Sequence, residues 1–295
     1  MNDARLSTLR ADLLAWWDGN GRHELPWRLT RDPWAVLVSE LMLQQTQVAR
    51  VVERWPAFVE RFPTATACAA APVGDAVRAW AGLGYNRRAV NLHRCASIVV
   101  ERHGGELPED LGALLALPGI GPYTARAVLV FASGRAIGLV DTTAGRFLAR
   151  AVAGRPLAVG EAQAVADAMV APGAGYAWGS AVFDVAALVC TRRAPRCGDC
   201  PLLRSCAWAT AGWPAPDPVA GSAGVSGGQS PFNGSDRQGR GALVAALRAG
   251  PVPAAVLAAA CGWPTDPHRA GCIAAGLVAD GLAVADPTTG TLHLP

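Results

Sequence analysis

Residues 111–131, LGALLALPGIGPYTARAVLVF, contain the strongest indication of how this chain folds. Apolar residues recur at helical spacing on both sides of the LPGIG turn at 117–121, and Pro122 suits the first turn of a second helix. The two glycines, Gly119 and Gly121, predict a tight turn whose N–H groups point outward, beside the positive N-terminal end of the next helix. The stretch therefore predicts a helical hairpin that can hold one phosphate. An ordinary helix–helix turn with a glycine C-cap is the alternative.

Four of the eight cysteines fall within residues 190–206 with the spacing C-x6-C-x2-C-x5-C: Cys190, Cys197, Cys200 and Cys206. A compact loop with one C-x2-C pair and outlying partners is typical of thiolates that surround a [4Fe-4S] cluster. A structural zinc site more often has two C-x2-C pairs, so the spacing favours iron and sulfur over zinc. Four arginines lie in or beside the loop, at positions 192, 193, 196 and 204, and phosphate is their expected counter-charge.

The composition indicates a globular protein and argues against a secreted or membrane-spanning one. The chain has 295 residues, of which 51% are apolar, enough for the cores of two domains. The first ten residues lack the apolar core of a secretory signal, and no apolar run reaches the roughly 18 to 20 residues that cross a bilayer. We therefore expect a cytoplasmic protein with no membrane partner. All 26 basic residues are arginine, which excludes catalysis through a lysine Schiff base.

The pattern of the chain predicts three regions. Residues 1–210 are almost wholly helical in periodicity, with Gly and Pro punctuation between short helices. Residues 211–238 are rich in Gly, Ser and Pro and predict a flexible linker. Residues 239–295 predict three short helices, 241–249, 253–260 and 267–279, followed by strands at 281–285 and 290–294. Three helices and a hairpin indicate a small winged-helix-like α+β module.

Taken in order, the LPGIG hairpin, the acidic Asp141 and the cysteine loop resemble the helix-hairpin-helix DNA glycosylases, which include endonuclease III and MutY-type adenine glycosylases. The resemblance covers roughly residues 10–210. It implies a mainly α, two-lobed glycosylase fold with a [4Fe-4S] cluster in the loop 190–206. It also implies a nucleoid-associated monomer whose partner is double-stranded DNA that contains a mispair or a lesion.

Two carboxylates carry the chemistry that the resemblance implies. Glu40 lies in SELMLQQTQV, residues 39–48, which resembles the MutY signature helix. Burial between apolar runs would raise its pKa, and a protonated acid can assist departure of a purine by protonating N7. A helix carboxylate paired with an arginine such as Arg50 or Arg54 is the alternative. Asp141 precedes a predicted helix over 142–153 and suits an N-cap. By resemblance, Asp141 is also the catalytic aspartate that stabilises the sugar cation.

Tyr123 occupies the position at which bifunctional endonuclease III relatives carry a lysine that forms a Schiff base. The resemblance therefore implies a monofunctional enzyme that leaves the abasic strand intact. The Arg87, Arg88 and Arg94 cluster supplies candidate phosphate contacts, although a solvated helix face explains it nearly as well. The resemblance also assigns substrate or DNA binding to Leu25, Trp27, Arg28, Gln45, Thr46, Tyr85, Gly119, Gly121, Thr143 and Ser180.

The chain departs from MutY-type sequences at three places. It has Asp-Thr-Thr-Ala at 141–144, where Thr143 replaces an asparagine, and Ser180 replaces a longer polar residue that helps to recognise adenine. The segment after the linker is too short for a Nudix-like domain. We expect excision of adenine opposite 8-oxoguanine or guanine. Two alternatives stay open: altered specificity for mismatched thymine, uracil or a modified purine, and a non-catalytic iron–sulfur regulator that binds DNA.

Overall fold

The computed structural model of the protein describes residues 3–222 and 231–295, which are mainly helical. Within these ranges no helix combines the length and the apolar character needed to cross a membrane. The described residues separate into two compact units. The first contains those within Met1–Val36 and Gly121–Gly227, and the second contains those within Leu37–Ile120 and Gly228–Pro295. Each unit is thus assembled from two separate stretches of the chain.

The first unit packs its helices around one apolar core. Helix α1 contributes Leu6, Leu9 and Leu13, which recur at helical spacing and are fully or almost fully buried. These leucines meet Phe147 and Trp178, whose rings lie edge to face with centroids 6.3 Å apart. The elements of this unit are α1 (Asp3–Asn20), the first turn of α2 (Pro33–Leu43), α8 (Pro122–Phe131), α9 (Thr142–Phe147), a π-helical segment (Leu148–Ala153), α10 (Val159–Met169), α11 (Gly175–Leu188) and α12 (Ala207–Thr210).

The second unit begins with the rest of α2 and packs around Trp80, whose side chain is fully buried. Phe58 meets the Trp80 ring edge to face, with centroids 5.6 Å apart. Its further elements are α3 (Val48–Arg61), α4 (Ala65–Ala70), α5 (Val73–Ala79), α6 (Arg87–His103), α7 (Leu111–Leu115), α13 (Asp236–Ala249), α14 (Leu257–Ala260), α15 (Pro267–Ala279), β1 (Val284–Ala285) and β2 (Leu292–His293).

The C-terminal elements follow the predicted order of three helical segments and a short antiparallel hairpin, in which Val284 pairs with His293. They belong to the same compact unit as residues 37–120. The backbone N–H of Gly74 donates to the carbonyl of Pro295 at 2.7 Å, and Arg248 on α13 donates to the carbonyl of Val77 at 3.0 Å. The segment is therefore fastened to α5 by polar contacts. Its assignment to the winged-helix class stays a prediction.

Part of the predicted linker makes specific contacts with the first unit. Asp217 accepts hydrogen bonds from Arg150, and the backbone N–H of Leu157 donates to the Ser222 hydroxyl at 3.1 Å. Residues 236–238 of the predicted linker already belong to α13. Residues 223–230 of that linker lie outside the described residues.

Candidate functional site

The predicted hairpin forms as two short helices, α7 and α8, joined by a turn in which Gly119 has φ +79°. A Cβ atom at Gly119 would also lie 2.9 Å from the Asn91 side chain, so both the backbone and the available space require glycine there. The expectation that Gly121 is needed for the same turn is wrong. Gly121 is the N-cap of α8 with φ −92° and ψ 177°, a conformation open to any residue, and a Cβ atom there would meet nothing within 4 Å. Its open side leaves room for a ligand at the start of α8.

Asp141 caps helix α9, as its position in the sequence predicted. Its Oδ1 atom accepts hydrogen bonds from the backbone N–H groups of Thr143 at 2.8 Å and Ala144 at 2.7 Å. Burial raises the pKa of Asp141 above its ordinary value, and the bonds from Ala144 and Thr143 offset only part of that rise. The carboxyl group therefore ionises less readily than that of a surface aspartate, and a positive charge brought near it would favour its ionised form.

Helix α9 also reaches the cysteine loop through Arg146. The guanidinium group of Arg146 donates to the carbonyl of Cys190 at 2.7 Å and to the carbonyl of Ala186 at 2.7 Å. Asp141 and the start of the loop are thus held by opposite ends of one six-residue helix. Thr143, the residue that departs from the MutY pattern, is half-buried within this cap.

Tyr123 lies in the first turn of α8 and packs against the cluster of Ala127, Val130 and Leu139. Its ring meets Phe183 edge to face, with centroids 6.1 Å apart. The position that carries a lysine in bifunctional relatives is thus filled by an aromatic side chain in an apolar neighbourhood.

Ser180 lies in α11 and is completely buried. Within the described ranges its hydroxyl oxygen is the one buried side-chain oxygen or nitrogen for which no hydrogen-bond partner is present. A buried hydroxyl without a partner costs about 1–3 kcal/mol. Whatever Ser180 does in recognition, its short side chain makes no bond in the protein itself.

Glu40 lies on α2 with 5% of its surface exposed, so the predicted burial is confirmed. It is flanked by Ser39 and Leu41, which are also buried. Burial alone does not decide between the catalytic acid and a helix carboxylate paired with an arginine. A buried carboxyl group of this kind is a candidate for acid–base chemistry.

Gln45 and Tyr85, two of the residues assigned to DNA by resemblance, both adopt left-handed backbone conformations, with φ values of 54° and 45°. Such conformations cost about 1–3 kcal/mol for residues with a side chain and occur preferentially at functional sites. Both side chains are exposed. Thr46 joins their two loops, because its hydroxyl donates to the carbonyl of Leu83 at 3.2 Å.

Arg88 fixes both loops, a role that sequence reasoning missed. Its side chain is buried, and its charge faces seven oxygen atoms, none of which is a carboxylate. They are the carbonyls of Leu41, Met42, Gln44, Leu83, Gly84 and Tyr85 and the hydroxyl of Thr46, at 2.5–3.4 Å. Two of these carbonyls lie in the last turn of α2 and that of Gln44 follows it directly, so Arg88 acts as the C-terminal cap of α2. Burial lowers the pKa of Arg88 to about 10, which leaves it charged at neutral pH.

Arg28, predicted to contact DNA, is instead paired within the first unit. Its guanidinium group binds both oxygens of Asp184, at 2.6 and 3.1 Å, and Arg22 adds a third bond at 2.6 Å. Asp184 is fully buried. Burial opposes its ionisation, but the bonds and charges of Arg28 and Arg22 hold the pKa of Asp184 below its ordinary value. Leu25 and Trp27, on either side of Pro26, are buried as well.

The four cysteines of the loop are brought together. Cys190, Cys197, Cys200 and Cys206 line one small cavity, together with apolar side chains that include Phe147 and Val189, and all four are free thiols. In residues 3–222 and 231–295 no three Cys, His, Asp or Glu side chains converge closely enough to hold one metal ion. A tetrahedral zinc ion with Zn–S bonds of about 2.3 Å would need sulfur atoms about 3.8 Å apart. The loop thus offers four thiols around one cavity as a candidate ligand set.

A second buried arginine, Arg150, supports this loop. It lies in the π-helical segment and donates to the Cys190 sulfur at 3.6 Å and to the carbonyl of Thr191 at 2.7 Å. Asp217 balances its charge. The loop is therefore anchored by Arg146 and Arg150, neither of which was singled out from the sequence.

Comparison with known proteins agrees with the geometry. The family of HhH-GPD superfamily base excision DNA repair proteins matches residues 38–170. An adenine DNA glycosylase of Mycolicibacterium smegmatis is 40% identical over 281 residues, which cover 94% of this chain and 93% of that relative. The chain belongs to the MutY-type adenine DNA glycosylase family. As a member of that family it is a DNA N-glycosylase of base excision repair.

Other family members show the same relation. The adenine DNA glycosylase of Mycobacterium tuberculosis is 41% identical over 292 residues, 96% of this chain and 92% of that relative. The human adenine DNA glycosylase is 37% identical over 217 residues, which are 69% of this chain and 40% of the human protein. The similarity to the mycobacterial MutY-type proteins therefore extends through the C-terminal segment.

Solved structures agree on the fold. A thermostable thymine-DNA glycosylase superposes with a TM-score of 0.65 at 25% identity, over 71% of this chain and 98% of that one. An endonuclease III trapped on DNA superposes with a TM-score of 0.63 at 21% identity, over 72% of this chain and 100% of that one. The MutY-type chain thus has the helix-hairpin-helix glycosylase fold.

Proposed function

We propose that the protein excises adenine mispaired with 8-oxoguanine or guanine in double-stranded DNA. The observation that carries the proposal is the identity of about 40% to adenine DNA glycosylases over more than nine-tenths of the chain. The geometry adds support, because Glu40 is buried on α2 and Asp141 caps the helix that leads to the cysteine loop.

Each carboxyl group has one role in the proposed reaction. Glu40 in its acid form donates a proton to N7 of the adenine, which turns the base into a neutral leaving group. The N-glycosidic bond then breaks with its electron pair going to the base, and the sugar becomes an oxocarbenium ion. Asp141 as a carboxylate stabilises that cation until water adds to C1′ and loses a proton, and one proton taken up by the Glu40 carboxylate restores the acid. The backbone N–H groups of Thr143 and Ala144, which donate to Oδ1 of Asp141, hold the carboxylate in position.

The reaction stops at the abasic site. A strand-cleaving relative uses a lysine amine, whereas Tyr123 supplies a phenol in an apolar cluster and the chain contains no lysine. The proposed activity is therefore monofunctional, and the strand breaks only after treatment with alkali.

A panel of duplexes tests the proposal. Each duplex carries one labelled A, T, U or modified purine opposite 8-oxoguanine or G, and excision is measured with and without alkali under single-turnover conditions. We expect cleavage of A opposite 8-oxoguanine and G, only after alkali. Activity confined to another base refutes the adenine assignment, and nicking without alkali refutes the monofunctional one. E40Q and D141N are the matched variants that lose activity.

A second candidate is the same reaction on another base. The complete burial of the unpartnered Ser180 hydroxyl favours it, because Ser180 stands where a longer side chain helps MutY-type relatives to recognise adenine. The same panel separates the two candidates. The non-catalytic DNA-binding regulator that the sequence left open is set aside, because the chain belongs to a family of DNA N-glycosylases.

We further propose that Cys190, Cys197, Cys200 and Cys206 hold a [4Fe-4S] cluster. Their common cavity, the thiol ligand set and the C-x2-C spacing support it. When bound, the cluster would hold the basic loop in shape. Anaerobically purified protein should contain about four iron and four sulfide ions per chain and show broad visible absorption. One zinc ion per chain would contradict the proposal.

A further inference from the structure

The second unit contains a large groove of about 740 Å³. One side is formed by residues 44–47, by Arg50, and by the loop and helix start at 82–88. The other side is formed mainly by C-terminal residues, namely Phe232, Arg237, Arg240, Gly241, Val244, Arg248, Leu277 and Leu282. The groove therefore joins the loops of Gln45 and Tyr85 to helix α13.

The groove has an excess of positive charge. Six arginines line it, and no aspartate or glutamate does: Arg50, Arg87, Arg88, Arg237, Arg240 and Arg248. Asp280, outside the lining, pairs with both Arg87 and Arg240, so one carboxylate serves two guanidinium groups. Arg88 and Arg248 donate hydrogen bonds to uncharged carbonyl and amide oxygens, which do not neutralise their charge. Such a surface attracts a polyanion.

The C-terminal side also holds the opposite loop in position. Arg248 on α13 donates to the side-chain oxygen of Asn86 at 2.8 Å, next to the left-handed Tyr85. The Phe232 ring, 57% exposed, stands at the same groove. An exposed aromatic ring beside arginines is a surface on which a base or sugar can pack.

We propose that this groove binds the sugar–phosphate backbone of one DNA strand, and that α13 is a DNA-contacting element with Arg237 as a phosphate ligand. The C-terminal segment thereby acquires a function of its own: it closes the groove opposite the Gln45 and Tyr85 loops. DNA as the partner rests on the proposed function. Six arginines distributed along one groove suit the repeated charge of a nucleic-acid backbone better than a single small anion.

The test measures the salt dependence of binding to an undamaged duplex with the full-length protein. Variants R50Q and R237Q each remove one charge from one wall. R102Q is the matched control, because Arg102 is exposed on α6 in the same unit and does not line the groove. Fluorescence anisotropy measures Kd at salt concentrations from about 50 to about 200 mM, a range over which counterion release changes the affinity strongly. Thermal unfolding checks that each variant is folded.

We expect R237Q and R50Q each to reduce the slope of log Kd against log salt by about one, and the double variant by about two. R102Q should leave the slope unchanged. An unchanged slope for R237Q overturns the role of α13. Equal competition by polyglutamate and by duplex DNA overturns the assignment to nucleic acid.

The experiments distinguish failure of the proposed DNA-binding groove from failure of the proposed adenine excision. If the wild type excises adenine while R237Q binds DNA with the wild-type slope, only the groove is refuted. If the slopes fall as expected and no adenine is released by the wild type, only the proposed function is refuted.

Discussion

Replacing Arg88 by methionine should unfold the end of α2 more easily than any comparable change of a surface arginine. Methionine keeps much of the apolar packing of the arginine stem, is shorter by the guanidinium group, and removes every donor. The carbonyl oxygens of Leu41, Met42 and Leu83 are buried where they accept bonds from Arg88, at 2.7–3.2 Å. A buried carbonyl that loses its partner costs about 1–3 kcal/mol. Three such groups, partly relaxed, give an expected loss of about 3–5 kcal/mol.

Urea unfolding followed by tryptophan fluorescence measures this loss. Arg87→Met is the matched control, because Arg87 is 63% exposed and its pairing with Asp280 at 3.3 Å is a surface contact. We expect a change of less than about 1 kcal/mol for that control. Arg88→Lys should fall between the two, since an ammonium group offers three donors to seven oxygens. If the unfolding free energies of Arg88→Met and the control differ by less than about 1 kcal/mol, the hydrogen bonds of Arg88 do not stabilise these loops.

Three further predictions follow from the described contacts. D141N should keep the cap of α9, lose glycosylase activity at least about 100-fold, and unfold at equal or higher urea, because it removes a buried charge. Burial raises the pKa of Asp141, so the greater stability of D141N over the wild type should be present above the ordinary aspartate pKa and vanish as the pH falls below it. Urea titrations of both proteins at a series of pH values measure this difference. G119A should lower the melting temperature, whereas G121A should leave it unchanged and weaken DNA binding, which calorimetry and anisotropy check. D184N should destabilise the first unit by about 3–5 kcal/mol, because Arg28 stays buried without its charge partner; an unfolding free energy equal to the wild type would contradict this.

Local patterns in the sequence were enough to predict several features. The apolar periodicity on each side of LPGIG gave the helical hairpin, and the spacing of the four cysteines anticipated thiols around one cavity. The cap of α9 by Asp141 was predicted because an aspartate before a helix satisfies backbone N–H groups in most settings. Each of these features depends on residues that are neighbours along the chain.

The features that were missed depend on long-range packing. Arg88 was grouped with Arg87 and Arg94 as a phosphate contact or a solvated face, yet it turns inward to carbonyls more than forty positions earlier in the sequence. Arg28 pairs with Asp184, 156 residues away. The position of α13 beside residues 37–120 has no signal in the linker or in the helix itself. Which side of a helix an arginine faces is set by its tertiary neighbours, and a single sequence does not record them.

The most direct test of the proposed chemistry is the amount of free adenine released in one turnover from a duplex with A opposite 8-oxoguanine, measured by mass spectrometry. We predict near-stoichiometric release by the wild type and at least about 100-fold slower release by both E40Q and D141N, with all three proteins folded and binding the duplex. Release of adenine by either variant at the wild-type rate would contradict the account.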